Sequence, residues 1–152
     1  MVQYCMEVIV IKKYGGFLIS QISKLTARTW ERLLKDCGID AFNGAQGRIL
    51  YVLWEHENLT FSDVARLTSL AKTTLTSMID RMEAAGLVER IPDKKNRRQI
   101  FLSITDKARE YREAYDKLSD EMNGIFYKGF AEEEIVGFEN QLRRILKNFE
   151  GV

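Results

Sequence analysis

Between Thr60 and Thr105 the chain switches its hydrophobic period from helical to alternating, and that switch limits what it can fold into. Thr60 and Asp63 have the spacing of a capping box: the hydroxyl can accept from the backbone N–H three residues on, and the carboxylate can reach back. A helix therefore starts near Phe61, with Phe61, Val64, Ala65 and Leu67 or Thr68 facing inward. The next helix begins near Lys72. Leu75, Met78 or Ile79, and Met82 fall on one stripe, opposite Thr73, Thr74, Thr76, Ser77, Asp80 and Arg81. Gly86 supplies the left-handed residue that closes a helix, and Leu87 the hydrophobic contact that accompanies it.

After Gly86 the period becomes two. Val88 and Arg90, then Ile100, Leu102 and Ile104, alternate as a two-stranded ribbon requires, and Pro92 breaks the first strand. Lys94, Lys95, Arg97 and Arg98 crowd around Asn96 between the strands. Like charges this dense stay out of a core, so an extended loop carries them into water or onto phosphate. Two short helices followed by a ribbon with a cationic tip make a winged helix-turn-helix. The hydroxyl-rich helix face can enter a groove about 12 Å wide without steric conflict.

Charge distribution agrees with this reading, although the net charge is only +1. Residues 60–105 carry eight Lys/Arg against five Asp/Glu, a net of +3, whereas residues 106–152 carry eight against eleven, a net of −3. The cationic excess therefore sits in the proposed reading head. Thr73, Thr74, Thr76, Ser77 and Arg81 are expected to face the major groove, with Arg81 able to donate bidentately to guanine. Lys72 is expected on phosphate, and Lys94, Lys95 and Arg97 on backbone. The competing reading for Arg81 is a surface ion pair involving Asp80 or Glu83.

The ordered set of motifs is similar to the MarR family of bacterial transcription regulators. The residues that carry the resemblance are the helix pair, Gly86-Leu87-Val88-Glu89-Arg90, the basic turn Asn96-Arg97-Arg98, the strand ending Ile104-Thr105, and a long helix thereafter. Gln46-Gly47-Arg48-Ile49-Leu50 is similar to the family's second helix. Two positions depart from its pattern: Asn96 stands where Asp is usual, and Ala71 where Asp or Ser often caps the recognition helix. The resemblance covers nearly the whole chain. It implies a mainly α fold with a small two- to three-stranded β-wing, dimerising through N- and C-terminal helices. Residues 43–105 would form the winged helix-turn-helix within one unit of residues 1–152, and residues 8–38 and 106–150 the dimerisation helices. By the same resemblance Arg98 would enter the minor groove, whose negative potential attracts it. The function implied is a homodimeric repressor on a pseudo-palindromic operator.

The flanking segments read as helices. Ile11, Tyr14, Leu18, Ile22 and Leu25 step by three and four, Trp30, Leu33 and Leu34 continue that face, and Gly38 ends it. Gly15-Gly16 weakens the start, so this helix can fray, bend there or begin after it. Asn43 and Gln46 make a second capping box, and the helix from Gly44 to His56 is apolar on several sides, so it belongs inside. Thr105 caps a helix expected to run unbroken to about Lys128, with Gly129 as its breaker. Ile135, Phe138, Leu142, Ile145 and Phe149 form a regular seam on the last helix, Glu132 to Phe149. That seam needs a partner: the first helix of the same chain, a second chain, or both.

Other classes find little support. His56 is the single histidine and lies in the polar run Glu55-His56-Glu57-Asn58; no phosphate-cradling loop, metal cluster or nucleophile motif accompanies it, so neither an enzyme nor a cofactor is expected. Cys5 and Cys37 form no disulfide framework or metal motif and read as reduced thiols, with a redox-sensing regulator as the alternative. In thiol-sensing relatives the cysteine precedes the segment matching Phe17-Leu18-Ile19, where this chain has Gly16. No segment reads as a membrane span or signal peptide, so a cytoplasmic protein is expected. A winged helix that binds protein rather than DNA remains the rival module. The family resemblance also implies a small aromatic or phenolic effector that lowers DNA affinity, with Tyr14, Phe17, Trp30, Arg48, Tyr51 and Tyr111 as candidate lining. Residue by residue, the competing reading is that these side chains are ordinary core.

Overall fold

The computed structural model describes residues 12–152. Cys5, and Ile11 of the first expected seam, lie outside the described residues. The element order is α1 (Gly15–Asp36), α2 (Gly44–Glu55), β1 (Leu59–Thr60), α3 (Phe61–Thr68), α4 (Lys72–Ala84), β2 (Val88–Pro92), β3 (Ile100–Ile104), α5 (Asp106–Arg109), α6 (Arg112–Phe126) and α7 (Glu132–Asn148). The fold is mainly helical with a three-stranded antiparallel wing, in which β3 lies between β1 and β2.

Local chemistry sets the helix boundaries. Asn43 Oδ1 accepts the Gln46 N–H at 2.8 Å, and Gln46 Oε1 accepts the Asn43 N–H at 3.1 Å. Thr60 and Asp63 make the same reciprocal pair, at 3.1 and 3.0 Å. The bond from the Thr60 backbone N–H holds the Asp63 carboxyl below the usual aspartate range. Gly86 closes α4 at φ +73°, and the Leu87 N–H folds back onto Met82 O at 2.9 Å. The turn between α3 and α4 uses Ser69 at φ +55°, a left-handed non-glycine residue that motif reading did not single out.

The core forms where these helices converge. Ile49 and Leu50 of α2 meet Val64 of α3, Leu75, Ile79 and Met82 of α4, Leu87 and Val88; all are at most 1% exposed. No charged or polar side chain is buried among the described residues. Each fully buried aliphatic side chain contributes about 1.5–3 kcal/mol of transfer free energy, so α2 and α4 are the most firmly held elements. Beside this core an aromatic cluster ties α1 and α2 to α6. Trp30 stacks on Tyr115 with ring centroids 5.1 Å apart, Trp54 meets Tyr115 edge-on at 5.3 Å, and Phe42 packs edge-on against Tyr111 at 5.4 Å.

Several expectations need correction. Pro92 does end the first strand, but from within it: it is the last residue, paired with Ile100, on an edge strand where a missing N–H costs little. The first helix starts at Gly15 rather than after the glycine pair. The helix expected from Thr105 to Lys128 is interrupted at Glu110 and Tyr111 and ends at Phe126. At Glu110 and Tyr111 a three-residue bond, Tyr111 N–H to Ala108 O at 3.2 Å, tightens the turn, while Tyr111 and Arg112 are drawn to Phe42 and the end of α2. The seam of α7 does not pack along α1 of the same chain: α1 lies on α2 and α6. No residue of α7 is buried, and its Phe138 meets Phe126, Tyr127 and Phe130 at the end of α6.

Gly47 is where the aromatic cluster leaves no room for a side chain. A Cβ there would stand 2.8 Å from Tyr115 Cε2 and 3.3 Å from Phe42 Cε2, both parts of packed rings. Gly47→Ala should therefore destabilise the fold by about 1–3 kcal/mol, although alanine is the better helix former. Urea unfolding of the variant checks this, and an unchanged midpoint would count against it.

Candidate nucleic-acid interface

Burial of one stripe of α4 fixes which residues it presents outward. Leu75, Ile79 and Met82 are buried and Met78 half-buried, so Lys72, Thr73, Thr74, Thr76, Ser77 and Arg81 are all exposed. At 100° per residue Thr73, Thr74, Ser77 and Arg81 share one face, while Lys72 and Thr76 flank it. Thr76 Oγ1 donates to Lys72 O at 2.8 Å, which leaves that hydroxyl free only to accept. Ala71 caps the helix without a side-chain bond, so N–H groups of its first turn stay available.

The wing turn follows β2, the strand that packs on this helix. Lys94, Lys95, Arg97 and Arg98 are exposed, and none of them makes an ion pair with the described residues. The turn is shaped by two short side-chain bonds: Asp93 Oδ1 accepts the Lys95 N–H at 2.9 Å, and Asn96 Oδ1 accepts the Arg98 N–H at 3.1 Å. The amide oxygen of Asn96 thus braces the turn, a role that needs no carboxylate. Asp93 N–H to Gln99 O at 3.1 Å closes the base of the turn. A groove of about 430 Å³ runs between the start of α3 and the wing, lined by Thr60, Phe61, Ser62, Asn96, Arg98, Gln99 and Ile100. Arg98 therefore stands across a groove from the first turn of α3.

Arg90 joins helix to wing, and motif reading gave it no role. Its Nη2 donates to Asp80 Oδ1 at 2.6 Å and its Nη1 to Glu83 Oε1 at 3.2 Å. The Asp80 hydrogen bond raises the guanidinium above its ordinary value, so it stays charged. The ion pair considered for Arg81 is thus taken by Arg90, and Arg81 keeps its guanidinium free of ion pairs among the described residues. The signal was present, since Arg90 sits at an inward strand position and Asp80 and Glu83 lie one helical turn apart. Only the fold shows that the two sites meet.

The residues suggested for an effector separate into two groups. Trp30, Arg48, Tyr51 and Tyr111 gather around Tyr115, which motif reading had placed on a helix stripe but not in the cleft. A cleft of about 210 Å³ opens there, lined by Ala27, Arg28, Trp30, Glu31, Gly44, Ala45 and Arg48. Burial pushes the Tyr115 phenol up to about 12, with the Arg48 charge working against that shift. Tyr14 and Phe17 do not join this group within one chain: they sit at the start of α1, 56% and 65% exposed. Phe17 is thirteen residues from Trp30, about 20 Å along a helix. Cys37 is exposed at the C-terminal cap of α1.

An exposed helix of the helix-turn-helix type and a β1-β3-β2 wing with a cationic turn define a winged helix-turn-helix protein. Residues 42–100 match the model of the MarR family. The likeness to that family thus lies in the winged helix-turn-helix. The chain is 35% identical over 77 residues to the HTH-type transcriptional regulator TtmR of Methylorubrum extorquens (strain PA1), covering 51% of this chain and 40% of that protein. It is 31% identical over 97 residues to the HTH-type transcriptional regulator FarR of Neisseria gonorrhoeae, covering 64% and 62%. The chain thus spans less than two thirds of the length of these relatives. Its fold superposes on that of S. aureus MepR in a MepR–DNA complex with a TM-score of 0.78, at 22% identity, covering 91% of this chain and 100% of that one. Among the described residues no helix is long and apolar enough to cross a membrane.

The brace made by Arg90 should matter locally more than globally. Its side chain is 24% exposed and its two partners more so, which puts the pairs near the surface range. Arg90→Gln is expected to cost about 1 kcal/mol of stability. It should speed amide hydrogen exchange at Lys95 and Arg98 while leaving α2 protected. Equal protection of the wing in variant and parent would refute the bracing role.

Proposed function

We propose that the protein is a sequence-specific double-stranded DNA-binding transcriptional regulator, acting in the cytoplasm as a homodimeric repressor on a pseudo-palindromic operator. The observation that carries this reading is the pairing of two exposed surfaces. The hydroxyl-rich face of α4 and the cationic wing turn are both exposed, and Arg90 on the strand leading to that turn is bonded to Asp80 and Glu83 of α4. Thr73, Thr74, Ser77 and Arg81 read base edges in the major groove, Thr76 accepts at its flank, and Lys72 neutralises phosphate. Arg98 enters the minor groove, with Lys94, Lys95 and Arg97 on the backbone beside it. The relatives' names as transcriptional regulators and the DNA complex formed by MepR support the same reading.

Dimerisation follows from apolar surface at both ends of the chain. On α1, Phe17, Leu18, Ile19, Ile22 and Leu25 are 39–65% exposed; on α7, Ile145, Leu146 and Phe149 are 41–70% exposed. A surface this apolar is unusual for a monomer, and a twofold partner covers it by matching the ends of two chains. The same twofold sets two α4 helices about 34 Å apart, on successive major grooves. Sedimentation at micromolar concentration should give a dimer, and a monomer that stays monomeric on DNA would contradict the reading.

A second element of the proposal is an effector. The cleft lined by Trp30 and Arg48, with Trp30 stacked on Tyr115 and Tyr51 packed on the same ring, suits a small aromatic or phenolic molecule. Such a ligand lowers DNA affinity if it prefers a head spacing that misfits the operator.

Selection of duplexes from a randomised pool by the purified chain tests the central claim. An enriched pseudo-palindrome, bound with a steep loss of affinity as salt rises, is the expected outcome. Failure to retain any duplex at low salt would favour the protein-binding module instead. On the selected duplex, Arg98→Ala should lose about 1–3 kcal/mol of specific affinity. Its melting temperature should hold, because Asn96 bonds the backbone N–H of residue 98 and not its side chain.

A further inference from the structure

The start of the long C-terminal arm reaches back to the C-terminal ends of both principal helices of the head. Thr105 Oγ1 donates to Gly86 O at 2.7 Å and accepts the Ala108 N–H at 3.2 Å. Lys107 Nζ donates to Ala85 O at 2.9 Å, and Ala85 is the C-terminal cap of α4. Arg112 Nη1 donates to Trp54 O at 3.0 Å and its Nη2 to Glu55 Oε1 at 2.6 Å, on the last two residues of α2. The last carbonyls of a helix have no partner within it and carry the negative end of its dipole. A cation placed there answers both needs, and here it comes from the arm rather than from the helix itself.

This arrangement holds α4 from its C-terminal end. The wing grips that end through Arg90 on Asp80 and Glu83, and the arm grips it through Thr105 and Lys107. The other end has no side-chain cap. A helix of 13 residues is roughly 20 Å long, so a tilt of about 5° at the held end displaces the other by nearly 2 Å. Thr73 and Ser77 lie toward that far end, and hydrogen bonds to base edges do not survive such a displacement.

We propose that Lys107 is a positioning residue for DNA binding: by capping α4 from the arm it sets the angle at which the recognition helix meets the groove, without touching DNA itself. The inference rests on the DNA-binding reading above. Its distinguishing property is electrostatic. A lysine on phosphate releases a counterion when DNA binds and contributes about one to the salt slope, whereas a lysine spent on a helix carbonyl contributes nothing.

The test uses the full chain and a fluorescently labelled duplex selected by the parent protein, with anisotropy titrations at several KCl concentrations and thermal melts alongside. Lys107→Met keeps the apolar stem and removes the ammonium. It should bind about tenfold more weakly, comparable to the loss of one base contact. The salt slope should be unchanged, and the melting temperature nearly so, because the residue is exposed. Lys107→Arg, which can still donate to Ala85 O, should restore most of the affinity. A slope shallower by about one in the Met variant would make Lys107 a phosphate ligand and overturn the proposal. So would unchanged affinity, or an Arg variant as weak as the Met variant. A parent chain that selects no duplex overturns the DNA-binding reading as well as this one; weak variants are interpreted only where the parent binds.

Discussion

Everything polar on the exposed face of α4 is where it is because three side chains on its other face are out of water. Leu75, Ile79 and Met82 are 0% exposed, packed with Ile49 and Leu50 of α2, which are also 0% exposed. The gain is about 25 cal/mol for each Å² of apolar surface removed from water, and it is lost if the helix rotates. Rotation by one residue would bury Thr76 and Asp80 in place of Leu75 and Ile79, an exchange that desolvates a hydroxyl and a carboxylate without partners. The hydrophobic core thus sets the rotation of α4 and with it the face it presents to solvent.

Core burial leaves tilt less well determined, because an aliphatic stripe tolerates small angular changes. That freedom is reduced by polar contacts at the rim. Arg90 links wing to helix, Lys107 and Thr105 link arm to helix, and Arg112 links arm to α2. None of these groups is buried, and each contact is individually weak. Their effect comes from placement: they act at the edges of the head, where a small force has the longest lever.

The two ends of the molecule follow a different logic. The first half of α1 and the far half of α7 carry more apolar side chains than one chain covers, and α7 buries no residue. Such helices are amphipathic in sequence and incomplete in isolation. A twofold partner, as proposed, completes them and makes the spacing of two heads a property of the interface. The aromatic cluster around Tyr115 ties α1 and α2 to α6.

What the sequence determined by itself is what neighbours along the chain decide. Thr60 with Asp63 and Asn43 with Gln46 cap helices because each pair lies three residues apart, and Gly86 ends α4 because one residue must take a left-handed turn. The inward stripe of α4 and the exposure of Lys94, Lys95, Arg97 and Arg98 were legible for the same reason. Tertiary structure alone decided the pairings between distant segments. Arg90 meets Asp80 across a strand and a helix, Lys107 reaches Ala85 twenty-two residues back, and Arg112 finds Trp54 fifty-eight residues back. It also separated Tyr14 and Phe17 from the aromatic cluster and put Tyr115 at its centre, and it interrupted the arm helix at Glu110 and Tyr111. A charged side chain has many partners of opposite sign, and the backbone carbonyls at a helix end can be met by any of them. Only the three-dimensional path of the chain selects which contact forms.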